Sequence, residues 1–386
     1  MKKTVSLLLV VCVAALSHGT LTNTVLFDRE IVRILDTHCV VCHAEKGPAF
    51  PLETYEQTWL QMHPIYADVI SRHMPPWPAV PGYGQFVNDN GLTLRENQFI
   101  VSWVEGLGPR NAGAVFTNTA GAGAAPGEVR AHTDFGQWQL GQPQLTRPLA
   151  ANTIEPVQGN AVAGNEIKHT AIDLGLTSER WLRALEYMPG DRRVVRAAFF
   201  SIQETGQWIG SWTPWYGFVN LPKGSAIRLP AGSHVMAEIH YRGTKERVID
   251  KGNLGLSFAA AAPSDLVSDI VLEAKGEVPA GAAAQKLRAV TRLTGEAHVL
   301  ALRTEATAGL KSIEVSARKP DGGTEVMLFA KDFQVDRPTP YIYKKPVLLP
   351  SGTDLSVIAY FTNTGATPQT GGLRLTASAY RKAGAR

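Results

Sequence analysis

Apolar and polar positions change their rhythm twice along this chain of 386 residues. Residues 24 to about 110 carry helical spacing. Asp28 to Leu35 sets Ile31, Val32, Ile34 and Leu35 among charged neighbours and predicts a short amphipathic helix. Thr54 to Ser71 repeats Trp59, Met62, Ile65 and Ile70 at helical intervals and predicts a second. Thr93 then opens a third as N-cap, with Glu96 at the capping-box position. Phe99, Ile100, Trp103 and Val104 share one face of that helix, and Gly106 ends it.

Asn111 to Gly127 is rich in Gly, Ala, Asn and Thr and has little to bury, so residues 111–130 read as a linker. Beyond it, short β-rich runs alternate with Pro/Gly turns. Trp181–Tyr187, Val194–Ile202, Ser233–Tyr241 and Asn253–Ala259 form one block. Ala259–Ser264 breaks the pattern. Ala284–Leu293, Ala297–Arg303, Ser312–Arg318, Thr324–Ala330, Leu355–Phe361 and Leu373–Tyr380 form a second, with a hairpin turn at Pro320-Asp321-Gly322-Gly323. This spacing predicts two all-β domains, jelly-roll-like sandwiches over residues 131–261 and 265–384.

Lys2 and Lys3 followed by the apolar run Val5–Leu16 predict an export signal over residues 1–17, with Ala15-Leu16-Ser17 as the cleavage site. The run is too short to span a bilayer, and no later segment is long and apolar enough. Val11 stands where a lipoprotein signal before Cys12 needs a small residue. The expected location is therefore periplasmic. Cleavage lowers the formal charge of +4 by two, which gives no electrostatic case for nucleic acid. It also removes Cys12 and leaves Cys39 and Cys42, so no other disulfide partner remains.

Those two cysteines stand in Cys39-Val40-Val41-Cys42-His43, the spacing for covalent attachment of a c-type haem. Two thiols three positions apart reach two vinyl groups of one porphyrin, and the adjacent histidine meets the iron as proximal ligand. A zinc site would need a second Cys or His cluster. A redox dithiol would follow a strand in a βαβ unit, whereas Asp28–Leu35 reads as helix. The sixth iron position falls to Met74, in His73-Met74-Pro75-Pro76-Trp77-Pro78, because prolines fix the loop that presents its sulfur. Trp77 is expected against the haem edge. His73, Met62 and His63 are the rival ligands.

Helix, haem loop, helix, ligand loop and C-terminal helix is the order of a class I cytochrome c. The chain thus resembles a bacterial family that joins a monohaem cytochrome c to two β-sandwiches like those of peptidylglycine α-hydroxylating monooxygenase, a type II copper, ascorbate-dependent enzyme. The resemblance rests on Cys39–His43, Gly47–Leu52, Met74–Pro78, Pro81–Gly84 and Trp103–Gly106 in the first part. In the β part it rests on Trp138–Pro143, Trp181, Pro189–Arg192, Leu229–Ser233, Glu238–Tyr241, Pro320–Gly322 and Leu349–Thr353. It implies an all-α class I cytochrome c domain over residues 24–110, followed by the two sandwiches.

The same resemblance implies two coppers held by histidines and a methionine, which this chain does not supply. Arg196 and Ala197 stand at the place of a His-His pair, and Val299 and Ala301 at that of a His-x-His pair. The methionine would fall near Gly371–Leu375, where none occurs. His240 matches the single histidine and reads as a vestigial copper ligand, or as a structural histidine alternating with Met236 and Glu238 along a strand. The expectation is a periplasmic c-type cytochrome for one-electron transfer, with covalent haem c and no copper. Its β-sandwich pair would bind a partner or ligand. A redox partner protein is implied, and so is a copper-bearing relative alongside it. The alternatives are a copper- and ascorbate-dependent monooxygenase fed by the haem, and a small-molecule-binding module.

Overall fold

The computed structural model describes residues 25–45, 47–110, 136–157, 165–335 and 337–382. The expected export signal (1–17) and linker (111–130) lie outside the described residues. Four helices come first. α1 is one continuous run made of Phe27–Ile31, Val32–Ile34 and Leu35–Cys39, with widened turns such as Val40 N–H to Leu35 O. α2 is Tyr55–Leu60, α3 Met62–Ile70 and α4 Leu94–Glu105. The Thr54–Ser71 stretch is therefore two helices, because the Pro64 ring would meet the carbonyl of Leu60 if one helix ran through. α4 starts on the expected capping box: Thr93 Oγ1 accepts from Glu96 N–H at 3.2 Å, and Glu96 Oε2 accepts from Thr93 N–H at 2.8 Å. Phe27, Ile31, Leu35, Leu52, Ile100 and Trp103 form the small core between the helices.

The strands follow in chain order. The first set is β1 Leu145–Pro148, β2 Asn152–Ile154, β3 Asn165–Asp173, β4 Arg180–Met188, β5 Val195–Ile202, β6 Trp208–Trp212, β7 Phe218–Asn220, β8 Ser225–Leu229, β9 His234–Arg242, β10 Val248–Asp250 and β11 Asn253–Phe258. The second is β12 Asp265–Val278, β13 Gln285–Arg292, β14 Ala297–Ala306, β15 Leu310–Arg318, β16 Thr324–Lys331, β17 Tyr341–Leu349, β18 Asp354–Phe361 and β19 Gln369–Lys382. One sheet, ordered β1-β11-β4-β8-β12-β19-β14-β17 with β7 also on β4, runs through both sets. Its seam is the short parallel pairing of Ser225 and Ala226 with Asp265 and Leu266. The sheet β3-β9-β5-β6 covers the first half of it and β13-β18-β15-β16 the second. Leu182, Phe200, Trp212, Ile239 and Leu254 are among the side chains packed in the first core, and Leu272, Val299, Ile313, Val357 and Leu375 among those in the second.

The expected all-α class I cytochrome c domain does not form as such. Among the described residues strands account for 46% and helices for 12%, and the fold is that of a β protein. The reason lies in residues 77–90. Pro75, Pro76, Pro78 and Pro81 exclude a helix there, and the chain runs extended along the edges of the second sandwich. Val80 N–H donates to Phe329 O (2.8 Å) and Lys331 N–H to Pro78 O (3.0 Å). Val87 N–H donates to Ile342 O and Lys344 N–H to Gln85 O, both at 2.8 Å. Trp77, Ala79 and Phe86 belong to the second sandwich's core. The helices are thus an outlying layer whose connecting loop is built into a β core. Among the described residues no helix is long and apolar enough to cross a membrane.

Candidate cofactor site

α1 delivers Cys39 at its C-terminal end, and a tight turn follows. Cys42 N–H and His43 N–H both donate to Cys39 O, at 3.0 and 2.9 Å. Gly47 allows the chain to return over this turn, since a side chain there would strike the Cys42 carbonyl oxygen. The return brings Phe50 O to 2.8 Å from His43 Nδ1. The imidazole therefore donates through Nδ1–H and leaves the Nε2 lone pair for a metal, the arrangement that fixes a ligating histidine. Burial lowers the His43 pKa, against the opposing effect of the Phe50 carbonyl and Asp68, so the ring favours the neutral form that ligation needs.

Cys39 and Cys42 are unbridged. Burial, with smaller contributions from Cys42 and Glu96, pushes the Cys39 thiol up to about 12. Burial also lifts Cys42, to about 11, against the pull of Arg192, Arg337 and Arg242. Among the described residues no group of three or more His, Cys, Asp or Glu side chains is placed to hold a metal.

Cys39, Cys42, His43 and Met74 all line one cavity of about 420 Å³. Leu35, Leu52, Val69 and Ile100 give it an apolar wall. His73 lines it too and is tied through Nδ1 to Asp68 Oδ1 at 3.2 Å. Met62 is packed in the helical core rather than along the cavity. Trp77 is absent from the lining, contrary to expectation. Its ring is drawn away into the second sandwich, 5.8 Å from Phe86 and 5.5 Å from Tyr341.

The opposite wall comes from residues that sequence spacing did not single out for this site. Val195 and Arg196 at the start of β5, Arg242 at the end of β9, Trp215, and Arg337 before β17 all face the same cavity. A β-bulge creates one of these positions. Val195 pairs with Tyr241 and Ala197 with His240, so Arg196 is the extra residue, outside the ladder. Trp215 is pinned by its Nε1–H to Asn88 O at 3.0 Å. Nothing in the sequence pattern around Arg196, Arg242 or Arg337 marks them for this cavity.

His240 is not in this cavity. Its Nε2–H donates to Glu238 Oε1 at 2.7 Å, and its ring meets Phe199 edge-on at 5.8 Å. Glu238 Oε2 also accepts from Arg303 at 2.9 Å. Arg196 lines this cavity and His240 does not, so the two do not share one site as the resemblance would place them. His298 stacks on Tyr380 at 4.6 Å with its Nε2 toward Glu296, so it is a packing residue.

No family model matches the chain, and no curated protein does. Among solved structures it is similar to the major capsid protein P2 of bacteriophage PM2, with 11% identity over 62% of this chain and 100% of that one at a TM-score of 0.28. An infectious bursal disease virus Gx strain structure matches with 11% identity over 62% and 71%, at 0.21. Allantoicase from Saccharomyces cerevisiae matches with 10% identity over 56% and 79%, at 0.19. Likeness at this level carries nothing about the chemistry of this chain.

Proposed function

We propose that this chain is a periplasmic c-type haem protein that passes single electrons to and from a redox partner protein. The carrying observation is the convergence of Cys39, Cys42, His43 and Met74 on one largely apolar cavity. The donor set would suit the group: two thiols to hold it as thioethers, an imidazole with its Nε2 available, and the thioether sulfur of Met74 on the same cavity. When bound, such a haem supplies a one-electron centre.

The chain's own residues do the rest. Phe50 O orients the His43 ring. Leu35, Leu52 and Ile100 exclude water from the cavity. The β half closes the other side through Val195, Trp215 and Arg242, which gives the sandwiches a part in the site besides binding a partner or ligand. His240 is engaged by Glu238 and stands apart from any second imidazole in β5, where Ala197 faces it, so the reading includes no copper.

The test is maturation in a host that assembles c-type cytochromes. Haem should stay with the polypeptide through a denaturing gel, and a Cys39→Ala, Cys42→Ala double variant should lose it. Haem that leaves the unmodified chain in acidified organic solvent would end the proposal.

A further inference from the structure

A second cavity, of about 260 Å³, is lined by β3, β5, β9 and β14 and by the segment before β17. Two buried polar atoms of its lining residues have no hydrogen-bond partner among the described residues. Arg303 is 8% exposed and gives Nη2 to Glu238 at 2.9 Å and Glu305 at 3.2 Å, while its Nε is unpaired. Gln334 donates from Nε2 to His73 O at 3.3 Å and leaves Oε1 unpaired. One donor and one acceptor are thus unmet, which is costly unless an occupant meets them. Phe199, Phe333, Ile167 and Val335 give the same cavity an apolar side, and the last two remain 53% and 38% exposed. An apolar wall with a few convergent polar groups is the make-up of a small-molecule site. The charges in the lining are already matched. Glu238 accepts from His240 and Arg303, and Glu305 lies against Arg303 and Arg374. An incoming carboxylate would meet Glu238 and Glu305, and an incoming ammonium would meet Arg303, so the lining disfavours either charge.

We propose that this cavity binds a small uncharged molecule in which a carboxamide sits on an apolar body. Its carbonyl accepts from Arg303 Nε–H, its N–H donates to Gln334 Oε1, and its apolar part packs against Phe199 and Phe333. This gives the ligand-binding part of the reading above a site and a chemical class, and it does not depend on the haem.

Isothermal titration of the full chain with benzamide tests this, with benzoate and benzylammonium as charged counterparts of the same body. Benzamide should bind at one site, about tenfold or more tighter than either ion. Gln334→Leu removes the acceptor and should weaken benzamide about tenfold, since the amide N–H is then buried without a partner. Arg303→Lys removes Nε–H and should weaken it to a similar degree. Should that buried change prevent folding, Gln334→Leu carries the test from its loop. Lack of saturable benzamide binding, binding of either ion as tight as that of benzamide, or an unchanged affinity in Gln334→Leu would each overturn the proposal. Covalent haem in the parent chain is read separately, so neither result decides the other.

Discussion

Arg337 Nη1 lies 3.8 Å from the sulfur of Met74, a residue 263 positions earlier in the chain. Gln334 reinforces the contact by donating from Nε2 to His73 O at 3.3 Å. The loop that carries the candidate axial ligand is thus held from the sandwich side. Thioether sulfur is a weak acceptor, so the guanidinium positions Met74 without competing strongly for it.

Met74 and His73 are adjacent in the lining and can be told apart by exchange. Met74→Ala should abolish the weak absorption band at the red end of the oxidised spectrum and lower the reduction potential, because a thioether ligand favours the reduced iron. His73→Ala should leave both in place, its imidazole being turned to Asp68. The reverse pattern in the two variants would assign the position to His73.

Ten of the nineteen described strands were legible, six of them in the second sandwich, whereas β1, β2, β3, β6, β7, β8 and β10 were not, and neither was the arrangement. β4, β5, β9 and β11 match apolar runs bounded by turns, and β13 to β16, β18 and β19 do likewise. β12 escaped notice although Leu272, Ala274 and Val278 face inward between Glu273, Lys275 and Glu277, because Ala and Gly weaken the alternation. β17 carries Lys344, Lys345 and Pro346, which interrupt its apolar alternation. Residues 77–90 show no strand pattern of their own, yet they take hydrogen bonds from the edges of the second sandwich. Period and composition describe a segment's own preference. They say nothing of which foreign strand edge will take its hydrogen bonds. For the same reason the cysteines, His43 and Met74 could be brought together by motif, while Arg196, Arg242 and Arg337 came into the site through tertiary structure alone.

Asn88 should prove to be a structural pin between the two halves. It is buried, donates through Nδ2 to Pro340 O at 2.7 Å and accepts at Oδ1 from Ile342 N–H at 3.0 Å. Asn88→Ala leaves both backbone groups short of a partner and should cost about 1–3 kcal/mol in chemical denaturation. Faster amide exchange at Ile342 is the accompanying local sign. Unchanged exchange there would show that the pin carries no load.

Glu238 should make the first sandwich acid-sensitive. Burial acts to raise its pKa, but hydrogen bonds and charge from His240 and Arg303 outweigh it and hold the carboxyl down at about 2. A depressed carboxyl stabilises the fold above its unfolded value, and that stability is lost as pH falls from about 4.5 toward 2. Glu238→Gln should cost on the order of 2 kcal/mol at neutral pH, with little difference left near pH 2. Denaturation midpoints of the two proteins that stay parallel across this range would contradict the assignment.

Asp269 should act in the opposite sense, although Arg303 lies near it too. Burial raises its pKa to about 6 against the opposing effects of the Trp208 N–H, Arg303 and Arg374. Oδ2 accepts from Trp208 N–H at 2.7 Å, while Oδ1 is buried without a hydrogen-bond partner. A raised carboxyl favours the fold below its unfolded pKa, and this contribution drains away as pH rises through about 6. Asp269→Asn keeps an acceptor for Trp208 and cannot ionise. It does leave an NH2 where Oδ1 now lacks a partner, which limits the gain to about 1 kcal/mol above pH 6. Near pH 4 the two proteins should be alike. Urea denaturation at pH 4, 5, 6 and 7 measures the divergence, and a variant less stable than the parent at pH 7 would mean that the ionised carboxylate is held by more than the Trp208 amide.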